Sequence, residues 1–591
     1  MENYLRNWRN DLLERQQYAA AIFVGDKLLA LTGSDTDAIA LAQTHFADGD
    51  YTRPLTLLTR TQLPQRSRAA RYLAAHCHVK LGRYDAALAL LGDKNPTHLA
   101  TTADSARRKL QHMTAGLSSR QHAKSKASRD ERADRSEERD FEEAGNIKYE
   151  AGMCYLRGLC FAQQNAFDRA KECYKDAVRI DIQCFEAMDQ LMQNKLMGPA
   201  EEWDFLESLN FDSISADQTD AQEAAAFTRN LYITRLSKYA RPAEFAAAME
   251  TLCTHYRLAD NADMLLAQAE TLFTSSRFEQ ALDMTSAVLD ADAYNFACMP
   301  LHLALLFQLE QVNALFALAH DLADSHPQEP CTWLAVGTYY LATERIPEAR
   351  TYFSKASLMN PHFGPAWIGF AHTFAAEGEG DQAIAAYSTA ARLFQGTHLP
   401  QLFLGMQELA LDNLAIAREY LTTAYNLCDR DPLLINEIGV CAFKEGSYEA
   451  AIRHFDLALR LSEEAGAGPH QYRATRLNLA HALRRQKRYN EALEQFNEVI
   501  RLGRNDCDTF ASKALTLLEL DRPLDATLAL HQGLALSPQD PVAGELLTRA
   551  LTQLGTEPLM SKTEEKNIDA SLKEKLASSV QVRRSRRREI P

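Results

Sequence analysis

Residues 330–361 read PCTWLAVGTYYLATERIPEARTYFSKASLMNP, and their spacing decides how the chain folds. With Pro330 as position 1, large residues fall at positions 4, 7, 11 and 24: Trp333, Val336, Tyr340 and Phe353. Small residues fall at 8, 20 and 27 (Gly337, Ala349, Ala356), and Pro361 stands at 32. A shift of 34 returns Trp367, Phe370, Ala371, Phe374, Ala383, Tyr387 and Ala390 in the same places. Further shifts give Gly405, Ala417, Leu421 and Ala424, then Gly439, Ala451, Phe455 and Ala458. Backwards come Leu315, Ala319 and Pro327, and before them Leu265, Ala269, Ala281 and Val288. The units start at 262, 296, 330, 364, 398 and 432. A Gly- and Ala-rich insertion, Ala465–Pro469, delays the next start to 473, and a last unit starts at 507.

Small residues at 8, 20 and 27 let two helices approach closely, while the large ones fill the space beside them. Proline at 32 cannot continue a helix, so it ends the second helix of each pair. The pattern resembles the tetratricopeptide repeat, a 34-residue pair of antiparallel helices. It implies an all-α fold, an α-solenoid superhelix of helix-turn-helix repeats. Trp333, Trp367, Tyr340, Phe374, Phe353 and Tyr387 all occupy packing positions, so they read as core and not as a ligand cage.

Working outward, residues 261–540 form a C-terminal repeat superhelix with a peptide groove, and 541–556 a capping helix with one apolar face. Residues 1–98 carry the repeat more loosely, with units near 35 and 68 and a degenerate one at the start of the chain. Residues 147–260 hold a unit near 151 and then helices of poor periodic agreement. Residues 99–146 are expected to be a charged flexible insertion, since Ser118–Glu143 has a single aromatic, Phe141, among many charges. Residues 557–591 form a polar tail expected to be disordered, with five Arg in Arg583–Arg588. That cluster reads either as a solvated end or as a nuclear-import or acidic-partner signal.

The 591 residues carry 64 Lys+Arg against 79 Asp+Glu, a net charge of −15. This balance argues against a broad nucleic-acid surface, which needs a basic face to displace counterions. The longest uncharged stretch worth testing for a membrane span, Ala293–Leu309, holds Asn295, Pro300, His302 and Gln308 and is too short for one. Eleven cysteines without a CxxC pair suggest neither a disulfide framework nor a zinc site. Neighbours His76, Cys77 and His78 point about 100° apart on a helix and cannot share one metal. No Walker-type loop, HExxH or GxSxG motif is present. The expectation is a protein that is not an enzyme and takes no cofactor or metal.

A solenoid offers an extended concave surface for an extended peptide. Positions 2, 5, 9, 12 and 13 should line it, which places His372, Asn436, Phe443, Lys444, His481, Arg484 and Arg485 in the groove. The alternative is that these are merely exposed helix positions. The Lys and Asn of a chaperone-tail clamp are missing at positions 5 and 9.

Five stretches carry a closer resemblance: Gln16–Leu31, Arg71–Leu91, Asp181–Met192, Pro330–Leu341 and His362–Met406. In the last, GPAWI and DQAIAAY are more specific than the general repeat. Together they resemble the cell division cycle protein sixteen family ("cut nine" in fission yeast), scaffold subunits of the anaphase-promoting complex. The resemblance implies a non-catalytic scaffold of a multi-subunit ubiquitin ligase that drives mitosis, in nucleus and cytoplasm. It also implies a homodimer through the N-terminal repeats, around Trp8, Tyr18, Phe23, Tyr51, Tyr72 and Tyr84. A small companion subunit would lie in the C-terminal groove, beside other repeat subunits of the complex, with neither nucleic acid nor membrane as partner. The other reading is a repeat adaptor of a chaperone or transport assembly.

Overall fold

The structure, a computed structural model, describes residues 1–96, 130–211, 221–464, 466, 468, 472–503 and 506–555, with side chains from 146 in the second segment and from 222 in the third. Among the described residues all regular structure is helical, in 30 helices paired along the chain as an all-α tetratricopeptide solenoid. First helices begin at Ala262, Met299, Pro330, Gly364, Leu399, Pro432, Arg473 and Cys507, each within three residues of the start read from the sequence.

The packing follows the position code. A methyl built on Gly337 would lie 2.7 Å from Phe353 Cδ1 and Cε1, and one on Gly439 2.6 Å from Phe455 Cε1. One on Gly158 would meet Tyr174 Cδ1 at 2.6 Å. Position 8 is therefore small because the aromatic at 24 rests on it, and Phe353, Phe455 and Tyr174 are all fully buried. Position 4 has a second task. The Trp333 indole donates to Pro327 O at 3.0 Å and the Trp367 indole to Pro361 O at 2.8 Å, tying each first helix to the carbonyl that ends the preceding unit. Both tryptophans are only partly buried, unlike Tyr387 and Phe374.

Position 15 is the turn. Its residue has positive φ in each of the eight units, at Ser276, Glu310, Glu344, Gly378, Asp412, Gly446, Lys487 and Asp521. At Glu344 the hydrogen bonds are Arg345 N–H to Tyr340 O (2.9 Å) and Glu344 N–H to Leu341 O (3.1 Å). This is the Schellman ending, whose left-handed residue satisfies the last carbonyls of the helix. The same device at Gln16, Gly49, Gly82, Asn165 and Lys195 carries the repeat toward the N-terminus. Lys195 joins helices Phe185–Gln193 and Pro199–Ser208, where the hydrophobic period alone gave poor agreement.

One expectation is corrected. The insertion was expected to reach residue 146 as loop, yet a helix runs from Asp130 to Gln163. Glu, Arg and Ala, which make up most of residues 130–143, are good helix formers. Residues 97–129, and the basic tail from 556 on, lie outside the described residues.

Two compact units divide the chain. The first holds Met1–Thr274, Phe278–Gln407 and Asn426–Cys428; the second holds Ser275–Arg277, Glu408–Tyr425 and the described residues from Asp429 on. The first contains one large core from Ala87 to Ala267 and another from Met299 to Phe353. It also closes on itself far along the chain: Gly396 N–H donates to Lys195 O at 2.7 Å. The second unit is built on two cores, around Phe455 and Phe496 and around Ala514 and Leu530.

Candidate partner-binding surfaces

The seven groove positions divide between the units, His372 in the first and the other six in the second. Helix Gly364–Ala376 carries His372, whose Nδ1 is 2.6 Å from the Tyr387 hydroxyl and whose ring stands edge-on to Phe403. Burial pushes its imidazole down to about 4, so it is neutral at physiological pH. His481, edge-on to Phe496, is pushed down to about 4 by burial and by the nearby Arg484 and Arg485.

In the second unit, Asn436 is only 5% exposed. Its amide donates to Glu437 Oε1 at 2.9 Å, and its carbonyl oxygen accepts from Asn478 Nδ2 at 3.1 Å. Burial raises the Glu437 carboxyl above the usual range. Two inner helices thus share a short polar ladder, Glu437–Asn436–Asn478. Asn478 and Glu437 were missed in the sequence because both sit at position 6, outside the positions assigned to the groove. The cue was available: two asparagines on consecutive first helices, in a register where the pattern asks for apolar or small residues.

Phe443 packs on Tyr448, with ring centroids 5.5 Å apart. Lys444 donates to Leu409 O at 2.6 Å and pairs with Asp412, tying its helix to the end of the preceding first helix. Arg484 bonds Glu519 Oε1 at 3.2 Å across the next unit, and Arg485 is exposed. Several of these side chains therefore brace neighbouring repeats, while Arg485 is open to solvent. Elsewhere in this unit a cleft of about 520 Å³ lies between Asp456, Arg460, Glu463, Arg476 and Gln495, and within it Arg476 pairs with Glu463 at 3.2 Å.

The N-terminal aromatics also differ among themselves. Trp8 is 42% and Phe23 61% exposed, alongside exposed Tyr4 and Leu31 on the first two helices, Glu2–Glu14 and Tyr18–Thr32. Tyr18 and Tyr84 are half-buried, Tyr51 packs on Phe46 and Tyr72 on His76 and Tyr149. A polar anchor ties the first three helices together: Asp37 accepts from Arg6 Nε at 3.2 Å and Nη2 at 2.8 Å, and from the Thr32 hydroxyl at 3.0 Å. The Arg6 bonds hold its carboxyl below the usual range despite the opposing effect of burial.

Cys77 is buried, its thiol pushed up to about 12 by that burial, while His76 lies against Phe46 and Tyr72. Among the described residues no His, Cys, Asp or Glu group is placed to hold a metal, and no helix is long and apolar enough to cross a membrane.

Comparison with known proteins gives these surfaces a context. The family description "Anaphase-promoting complex, cyclosome, subunit 3" matches residues 14–94, and tetratricopeptide-repeat descriptions match 151–182 and 429–505. The chain is 45% identical over 552 residues to the anaphase-promoting complex subunit cut9 of Schizosaccharomyces pombe, covering 93% of this chain and 76% of that protein. It is 30% identical to anaphase-promoting complex subunit 6 of Arabidopsis thaliana, covering 93% of this chain and 96% of the relative. It is also 30% identical to the human cell division cycle protein 16 homolog, covering 86% and 77%. The crystal structure of the hetero-tetramer Cut9-Hcn1 superposes with a TM-score of 0.78 at 44% identity, covering 93% of this chain and 96% of that one. The relatives from Schizosaccharomyces pombe and Arabidopsis thaliana are named as subunits of the anaphase-promoting complex. With 45% identity carried across three quarters of cut9, the chain belongs to the cut9/CDC16 family of anaphase-promoting complex subunits.

Proposed function

We propose that the chain is a non-catalytic scaffold of the anaphase-promoting complex that pairs with a second copy and holds a small companion subunit in its C-terminal groove. The observation that carries this reading is the near-complete superposition on Cut9 from its hetero-tetramer with Hcn1. Two features agree with it. The exposed aromatics Trp8 and Phe23 lie on the terminal helices, as a self-complementary N-terminal contact requires. The second unit offers a polar ladder, Glu437–Asn436–Asn478, whose amides suit a main chain lying in extended form. The other repeat subunits of the complex are its further partners, and nucleus and cytoplasm its place.

Size-exclusion chromatography with light scattering tests the pairing: at micromolar concentration the mass should be twice the 66.2 kDa of one chain. Deleting residues 1–95 should give monomers, and a monomeric parent chain would end the dimer reading. Titration with purified Hcn1 tests the groove. Asn436→Ala combined with Arg484→Ala should weaken binding roughly tenfold or more while the melting curve stays cooperative. Unchanged affinity would take both residues out of the groove.

A further inference from the structure

A repeat stack in which each unit touches only its neighbours behaves as a spring, open along its side between one turn and the next. In the first unit that side is closed by several contacts among the described residues. Phe167, which begins helix Phe167–Ile180, meets the His362 ring edge-on, with centroids 5.6 Å apart. The loop after helix Phe185–Gln193 presents Lys195 O to Gly396 N–H at 2.7 Å. Tyr239, in the loop before helix Pro242–Thr254, stands edge-on to His398 at 5.2 Å. Loops from three earlier helix pairs thus touch loops from two later pairs.

Both sides are held from behind. Lys195 is fixed in the left-handed region at φ 47°, and Leu196 and Met197 are buried. The fully buried Glu202 accepts the Ser237 N–H at 2.7 Å, which steadies the loop bearing Tyr239. On the far side Phe394 rests on Gly364, where a built methyl would come 2.8 Å from its Cδ2. Among the described residues, the core cluster that holds Leu196 and Met197 runs from Ala87 to Ala267 and includes no residue of the later turn. Among the described residues the junction includes one backbone hydrogen bond, two ring edges and the approach of Leu427 to Gly198. Such a contact opens without unfolding either side.

We propose that these contacts form a latch between successive turns of the first unit, and that opening it gates the approach of an extended partner segment to His372, the groove position of that same unit. The gating half rests on the groove reading above. Gly396 is the key residue. Its backbone lies outside the left-handed region, so alanine suits the local chain, but a methyl there would collide with Met197 O and come 2.9 Å from Lys195 O. Only the close approach of the other turn requires glycine.

The test uses the full chain with Gly396→Ala, with Phe167→Ala as a milder variant and Gly544→Ala, which has nothing within 4 Å, as control. Hydrogen exchange on the free protein should show segments 194–198 and 394–398 exchanging about tenfold faster in Gly396→Ala and less so in Phe167→Ala, with the flanking helices and the control unchanged. Equal exchange at both segments in all proteins would overturn the latch. Stopped-flow mixing with fluorescently labelled Hcn1 tests the gate. The parent rate should level off as Hcn1 rises, and Gly396→Ala should lift that plateau by the factor seen in exchange. A rate linear in Hcn1 and equal for both proteins would overturn gating. Failure of every variant and the parent to bind Hcn1 would overturn the groove reading and gating together, while exchange still decides the latch.

Discussion

Phe353 is held between two glycines, and this predicts a coupling that changes sign. A methyl on Gly337 would fall 2.7 Å from its Cδ1 and Cε1, and one on Gly369 2.6 Å from its Cε1 on the other side. Ordinary contact is about 3.5 Å or more, so Gly337→Ala asks the ring to retreat by about 0.8 Å. The backbone of the next first helix blocks that retreat. Overpacking costs about 1–3 kcal/mol, against which alanine in a helix interior recovers about 1 kcal/mol over glycine. The net expectation is a loss of about 1 kcal/mol. In a Phe353→Leu background the flat ring edge is gone, and the same Gly337→Ala should stabilise by up to about 1 kcal/mol. The coupling between the two sites is then about 1–3 kcal/mol. Denaturant unfolding of the four proteins, followed by circular dichroism, gives the cycle. Hydrogen exchange over Pro330–Ala342 and Ile346–Met359 guards against a repeat array that does not unfold as one unit. Effects that add to within about 0.3–0.5 kcal/mol would refute the close-packing argument.

The turn makes a second prediction: Glu344 adopts φ 60°, so Glu344→Gly should stabilise by about 0.5–1 kcal/mol, read as a rise in the denaturation midpoint, and a fall would contradict the turn account. The neutral histidines give a third. With His372 and His481 pushed down to about 4 in the folded chain and near 6.5 when unfolded, their contribution is complete above about pH 6.5 and is lost as pH falls toward 4. Each should cost on the order of 2 kcal/mol at pH 5, and His481→Phe should flatten part of that slope in melting curves taken from pH 7 to 5. A parent Tm independent of pH over this range would sink the assignment.

The second unit shows why the surroundings of its proposed groove residues were only partly legible. Asn436 and Arg484 were proposed from position alone, because a repeat puts positions 5 and 12 on its first helix wherever it sits. That Lys444 would be spent on Leu409 O and Asp412, and that Asn436 would answer to Asn478, depends on how neighbouring first helices are offset, which the 34-residue period leaves open. At the N-terminus the same limit applies: Trp8 and Tyr51 look alike as aromatic positions, and packing against Phe46 leaves Tyr51 only half-exposed while Trp8 stays open.

By itself the sequence determined the helix pairs, their register and the family. Glycine at 8 under an aromatic at 24, and proline at 32, are contacts inside one unit or between adjacent ones, so they must be written at fixed spacing. The tertiary structure decided the rest. Lys195 and Gly396 meet because small rotations, repeat after repeat, bring one turn beside another. No single unit encodes that sum, and a lone Gly396 looks like any loop glycine until Met197 O is found where its methyl would be.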